Sequence, residues 1–217
     1  MELKITAFSD THTFHKKTHL PICDISIFAG DLSSVGYKHE IKDFLKWYSN
    51  QTGPTFKIFI AGNHDISFEN DKEMVKELLN EYPDLIYLEN SSTEVYGIKI
   101  WGSPFSPTFG KGWAFNANRG DEIQKIWDLI PEDTNIVVTH TPVFGKLDYS
   151  RYKNENAGCE NLRNTIKKIK PKIHVCGHIH ECGGSLVEDE HTTYINASLM
   201  DFYFKPRNHP ITVNYNI

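Results

Sequence analysis

The chain has 217 residues, 39% hydrophobic and 24% charged, with 23 Lys and Arg against 28 Asp and Glu for a net charge of −5. That length and composition exclude a disordered or fibrous chain and suffice for a core without cross-links. The mildly acidic balance argues against a broad basic footprint for nucleic acid or anionic lipid.

No apolar run nears the ~20 residues needed to span a bilayer, and the chain enters a strand at once, leaving no room for a signal peptide. The expectation is a single cytoplasmic domain over residues 1–217. Residues 5–8, 25–29 and 56–61 are short β-branched and aromatic runs that stop at Gly or Asp, the pattern of buried strands. Between the last two, Tyr37, Ile41, Phe44, Leu45 and Tyr48 share one helical face. Strand, helix, strand favours a parallel sheet with helices on its faces. Met74, Val75, Leu78 and Leu79 predict a second helix. A hairpin follows, 93–95 and 98–101, turning at Tyr96-Gly97.

Residues 102–120 carry neither period. A loop that long in a compact domain is often functional, and it is a candidate substrate lip. Ile123, Ile126, Trp127 and Ile130 predict a third helix stopped by Pro131, and Leu162, Ile166 and Ile169 a fourth stopped by Pro171. Residues 136–139 and 173–176 are buried strands, while 185–187, 192–196 and 211–215 look antiparallel, so a second sheet is expected. Cys23, Cys159, Cys176 and Cys182 fit neither a metal nor a disulfide pattern and read as buried thiols.

Histidine carries the chemistry. Of eleven, five (His12, His64, His140, His178 and His180) directly follow predicted strands. Five apolar segments end in Asp10-Thr11-His12, Gly30-Asp31, Gly62-Asn63-His64-Asp65, His140 and Gly177-His178-Ile179-His180, and ligands in open α/β sheets bind outside the carboxyl ends of strands, so these ends should meet on one rim. Asp10 with His12, and His178 with His180, are two apart and project to one face if extended. The polar ends supply seven donors, Asp10, His12, Asp31, Asn63, His140, His178 and His180, too many for one tetrahedral ion. With one bridging carboxylate they divide between two ions.

Imidazole, carboxylate and amide donors without thiolate suit Mn²⁺, Fe, Zn, Ni or Co better than Ca or Mg. Two divalent ions, two carboxylates and a shared hydroxide leave a charge of about +1 in the cleft, which attracts an anionic phosphate. Ions about 3.5–4 Å apart would acidify the shared water as the attacking group and clamp the phosphoryl oxygens, so the expected reaction is hydrolysis of a phosphate ester.

In this order the five blocks resemble those of the calcineurin-like metallophosphoesterases. More narrowly, Gly102-Ser103-Pro104-Phe105, Gly112-Trp113-Ala114-Phe115-Asn116 with Arg119-Gly120, His180-Glu181 and Tyr194-Ile195-Asn196-Ala197-Ser198 are similar to the brain-type metallophosphoesterase-domain-containing proteins, relatives of the class III cyclic nucleotide phosphodiesterases. The resemblance implies an α/β four-layer sandwich, two mixed β-sheets flanked by α-helices. It places Asp10, His12 and His180 on one metal, Asn63, His140 and His178 on the other, and Asp31 between. It makes Mn²⁺ the foremost metal, Asn63 and His64 neighbours of the scissile phosphate, His64 the group assisting the leaving oxygen, and Asp65 its orienting partner. Arg119 is a further candidate phosphate contact.

Blander readings stand beside these. Asp31 as a helix N-cap competes with Asp31 as a ligand, and Asp65 as a first-turn acid with Asp65 as an orienter. His15 and His19 read as structural, with a place in the cleft as the lesser reading. Phe109, Trp113 and Phe115 read first as loop packing and second as a base-stacking wall. The expected function is a phosphodiesterase acting on small substrates, cyclic or other nucleotide diesters favoured, with a phosphomonoesterase, a nuclease and a non-catalytic metal-binding interaction module as rivals. No membrane is expected, nucleic acid is disfavoured, and a homodimer stays open.

Overall fold

The computed structural model describes residues 1–217. In chain order the elements are β1 (Glu2–Phe8), β2 (Cys23–Ala29), α1 (Lys38–Ser49), β3 (Pro54–Ile60), α2 (Ile66–Asn70), α3 (Lys72–Asn80), β4 (Leu85–Tyr87), β5 (Ser91–Val95) and β6 (Ile98–Ser103). There follow β7 (Ser106–Pro107), β8 (Asn116–Ala117), α4 (Asp121–Trp127), β9 (Ile136–Thr139), β10 (Tyr149–Ser150), β11 (Glu155–Asn156), α5 (Glu160–Ile169), β12 (Ile173–Cys176), β13 (Ser185–Glu188), β14 (Thr193–Asn196) and β15 (Ile211–Asn216).

One sheet runs β15-β1-β2-β3-β4, parallel except for β15. The other runs β13-β14-β12-β9-β6-β5, parallel in its centre with antiparallel edges β13 and β5. The period-2 alternation of the strands builds the layers. Leu3, Ile5, Ala7, Ile25, Ile27, Ile58 and Ile60 face Ile98, Ile100, Ile136, Val138, Val175 and Ile195 between the sheets. The alternate residues Phe8, Phe28 and Phe59 take Ile41, Phe44, Leu45 and Tyr48 of α1 with Val75 and Leu78 of α3. Trp101 and Val137 take Ile123, Trp127, Leu162 and Ile166 of α4 and α5. This is a four-layer α/β sandwich with a helical layer on each face, as the resemblance implied.

The predicted strands and helices are all present, with small shifts at their ends. Ile130 lies beyond α4, where bonds from Leu129 N to Ile126 O and Ile130 N to Trp127 O tighten the last turn. Tyr37 is the N-cap of α1, and Glu40 accepts from Tyr37 N at 3.1 Å. Asp31 therefore caps no helix. The hairpin turns at Tyr96 and Gly97, both with positive φ, as a two-residue turn requires. The structure adds α2, β4 and the two-residue ladders β7·β8 and β10·β11. Cys23, Cys159 and Cys176 are buried, Cys182 is half-buried, and all four are unpaired.

The two sheets are stitched together where their parallel strands end. Ser9 N donates to Ala197 O and Leu199 N to Ser9 O, each near 3 Å. Within each sheet the pairing continues past the strands, Gly177 N donating to His140 O beyond β12·β9 and Asp10 N to Gly30 O beyond β1·β2. The carboxyl ends of β1, β2, β3, β9 and β12 therefore open onto one cleft.

Candidate metal centre

All seven sequence-derived donors lie in this cleft. Asp10, His12 and His180 form one group, with donor atoms within 4.8 Å of one another, and Asp31, His140 and His178 form a second. Asp31 also groups with His12 and His64, so its carboxylate lies between the two sets. Asn63 Oδ1 joins the second set, 3.0 Å from His140 Nε2.

Backbone strain is concentrated here. Asp10, His12, Thr13, Asp31 and His178 all adopt positive φ, a conformation costly for side-chain-bearing residues and typical of functional sites. Two glycines without positive φ are required for space. A Cβ on Gly62 would collide with the Asp31 carboxylate, and one on Gly177 with Asp10 Oδ2 and Ser9 Oγ.

The protonation pattern asks for cations. His140 Nδ1 lies 2.8 Å from Ala29 O, so that nitrogen carries a proton and Nε2 is the one that presents a lone pair when the ring is neutral. Within 3.2 Å of that lone pair stand Asp31 Oδ2 and Asn63 Oδ1, two more acceptors. In the other set, His12 Nδ1 donates to Ser33 O at 3.2 Å, and its Nε2 lone pair faces His180 Nε2 at 3.3 Å, with Asp10 Oδ1 at 3.3 Å from the same nitrogen. Acceptors facing acceptors in a buried site are stable only around a proton or a metal ion.

The titration behaviour agrees. Burial would raise the Asp10 carboxyl, but the hydrogen bond and charge of His180 hold it at about 2. Burial likewise opposes ionisation of Asp31, and the imidazoles of His140 and His64 overcome it, placing Asp31 well below the carboxylate range. His140 is pushed up to about 9: burial lowers it, and the Asp31 charge and hydrogen bond outweigh burial. Burial takes His12 down to about 4 and His178 to about 3. Imidazole, carboxylate and amide donors without thiolate fit first-row divalent ions.

Two expectations are revised, those for Asp65 and for the aromatic residues of the 102–120 loop, while the structural reading of His15 and His19 holds. Asp65 does not orient His64. The His64 ring is set by Nδ1 donating to Ser34 O at 2.7 Å. The Asp65 carboxylate instead accepts from Gly62 N, Asp31 N, Leu32 N, Ser33 N and Ser33 Oγ at 2.6–3.2 Å, pinning the loop of Asp31 to that of Asn63. His15 lies away from the cleft, buried against Phe44 and Trp47, with its Nε2 3.2 Å from Asp43; His19 is exposed. Of Phe109, Trp113 and Phe115 in the 102–120 loop only Phe115 is core. The Trp113 ring lies 4.3 Å from that of His64, and the Phe109 ring 4.8 Å from that of His178.

Arg119 lines a cavity of about 240 Å³ that adjoins His178 and also includes Phe109, Tyr152 and Lys153. Its guanidinium is engaged by Glu160, Gly158 O and Ala157 O rather than aimed at the seven donors. Sequence reasoning did not find Asn196. Its amide donates to Leu147 O, Gly177 O and Ile179 O, holding the turn that carries His178. A buried amide at a strand end, in the Tyr194–Ser198 block already singled out, was the available signal.

A strand-end cleft of this composition on a four-layer sandwich defines a dinuclear metallohydrolase. Residues 3–182 match the calcineurin-like phosphoesterase family model, and the chain belongs to that family, whose members depend on two metal ions. It is a metal-dependent phosphoric ester hydrolase. The chain is 35% identical to human metallophosphoesterase domain-containing protein 1 over 232 aligned positions, spanning 97% of this chain and 70% of that protein; the mouse protein gives the same figures. The fold is shared with a phosphopantetheinyl hydrolase from Mycobacterium tuberculosis, at a TM-score of 0.62 and 15% identity over 90% of this chain and 88% of that one. No helix is long and apolar enough to cross a membrane.

Proposed function

We propose that the chain hydrolyses small phosphodiesters, with cyclic and other nucleotide diesters as the favoured class, using two Mn²⁺ ions. The observation that carries the metal half of this reading is the convergence of His140 Nε2, Asp31 Oδ2 and Asn63 Oδ1, three buried atoms that can each turn a lone pair to one ion once the imidazole gives up its proton. Asp10, His12 and His180 would hold one ion, Asn63, His140 and His178 the other, and Asp31 both. Bound there, the ions supply the charge that neutralises a phosphoryl group and acidifies water.

The chain's own groups do the rest. With Nδ1 committed to Ser34 O, the His64 ring stands beside His12 with its Nε2 free to hold a proton for the departing ester oxygen. Asn63, just beyond the end of β3, would touch the phosphate. Arg119, tied to the 157–160 segment, braces the wall of the cavity beside His178, which offers room for an organic substituent. Four free thiols support a reducing, cytoplasmic setting, and the net charge of −5 disfavours polynucleotides.

The test is a hydrolysis screen with Mn²⁺ over bis-(p-nitrophenyl) phosphate, 2′,3′- and 3′,5′-cyclic nucleotides, phosphomonoesters and single-stranded DNA. Diesters should lead and a chelator should stop the reaction. Preference for DNA or for monoesters would reassign the substrate, and chelator-resistant hydrolysis would remove the metals. His64→Ala should retain bound metal and lose about 10²- to 10⁴-fold in kcat, as loss of acid assistance does.

A further inference from the structure

The imidazoles of the cleft are oriented in two different ways. His12, His64 and His140 each point one ring nitrogen at a backbone carbonyl, Ser33 O, Ser34 O and Ala29 O respectively. This is the usual device for fixing the tautomer and aim of a metal-binding histidine. The two histidines of the 177–180 segment lack it. His180 hydrogen-bonds only through Nε2, toward Asp10 and His12, and the His178 ring bonds no group of the chain.

What each has instead is a phenyl ring. Phe204 lies 4.6 Å from His180, near edge-to-face at 74°, and reaches His12 at 5.5 Å. Phe109 lies 4.8 Å from His178 at 59° and stacks in turn on Trp113. The Phe204 pair has the favoured edge-to-face aromatic geometry, and the Phe109 pair is tilted at a similar separation.

Phe204 does not sit there as core. It is 53% exposed and adopts a positive φ. The turn beneath it is clamped: Asp201 Oδ1 accepts from Tyr203 N and Lys205 N, Phe204 N donates to Asp201 O, and Asp201 Oδ2 pairs with Arg207. A half-exposed apolar ring in a strained conformation, on a turn built to hold it against two imidazoles, is poorly explained by hydrophobic burial.

The geometry points to Phe204 and Phe109 as positioning residues that brace His180 and His178 for their metals, standing in for the carbonyl acceptors that orient the other histidines. This rests on the proposed reading of those histidines as ligands. Each brace serves a different ion. Phe204 supports the set of Asp10, His12 and His180, and Phe109 that of Asn63, His140 and His178.

The test is calorimetric titration of the chelator-stripped protein with Mn²⁺ alone. Wild type should bind two ions. Phe204→Ala should weaken one of them by about 10- to 100-fold, the usual cost of losing an orienting partner, and leave the other unchanged. Phe109→Ala should weaken the other ion. Phe204→Tyr, which keeps the ring edge, should restore binding, whereas Phe204→Leu, which keeps bulk without the edge, should not. Phe202→Ala removes a ring whose one aromatic neighbour is Tyr203 rather than a cleft histidine, and should behave as wild type. Melting temperatures of the stripped proteins should coincide, separating a brace from a fold defect. Wild type binding fewer than two ions would sink the dinuclear reading and the brace with it. Wild type binding two, with Phe204→Ala binding both as tightly, would overturn the brace alone.

Discussion

On the side of the cleft fed by β1, β2 and β3, the loops carrying Asp31, Asn63 and His64 are tied by one buried carboxylate, Asp65, which gathers four backbone N–H groups and a hydroxyl. On the side fed by β9, β12 and β14, the turn of His178 is held by the neutral amide of Asn196, and its two histidine rings lean on Phe109 and Phe204. The first side is pinned by a charged acceptor that cannot be removed piecemeal. The second is held by several weaker contacts, each of which can be lost alone. Damage to the first should therefore be close to all-or-none, and damage to the second graded.

Asp65→Ala should show the largest effect. It leaves five buried donors without their acceptor, and even one unsatisfied buried group costs about 1–3 kcal/mol. A loss of at least ~3 kcal/mol in urea unfolding is expected, with loss of metal-dependent hydrolysis because Asp31 is no longer placed. Asp65→Asn keeps one acceptor oxygen and should fall between. An Asp65→Ala protein as stable as wild type would break the contrast between the two sides.

Asn196→Ala comes next. Three carbonyls lose a shared donor, and under-satisfied carbonyls are tolerated better than orphaned N–H groups. The expected loss is about 1–2 kcal/mol, with two Mn²⁺ ions still bound but more weakly. Equal losses for Asn196→Ala and Asp65→Ala would erase the distinction.

The legible part of this site and the hidden part separate along the same line. Asp10, His12, Asp31, Asn63, His140, His178 and His180 were readable because each follows an apolar strand, and parallel strands must end on a common rim. The residues that hold them were not. Asp65 acts on backbone N–H groups of Asp31, Leu32 and Ser33, more than thirty positions away, and backbone donors leave no trace in residue type. The proximity of Asp65 to His64 suggested the wrong partner. Phe204 lies in a turn with no period, so nothing marks it, and Phe109 and Trp113 read first as packing and only second as a substrate wall because their loop has no pattern from which to infer a face. β4 and α2 were missed for a simpler reason: three and five residues are too few to display a period.

The smallest expected effect is one of pH, and it falls on the second side. His174 of β12, on the strand that leads into the turn of His178 and His180, is wholly buried, with Nε2 2.8 Å from Oγ1 of Thr139, the residue before His140. That hydroxyl donates to Thr141 O, leaving its oxygen to accept from the imidazole Nε2–H, and burial keeps the ring neutral. Burial takes it from 6.5 down to about 3. The unfolded chain therefore binds a proton that the folded chain refuses across that interval, and stability falls as pH drops through it. The contribution is complete above 6.5 and lost progressively below, amounting to about 1 kcal/mol between pH 7 and pH 5.5. Urea unfolding with saturating Mn²⁺ should show wild type losing that much more than His174→Asn over the same step, although the variant is less stable at both pH values. Parallel pH dependence in the two proteins would remove His174 as an acid-sensitive point, and the second side would then be weaker than the first only through its packing.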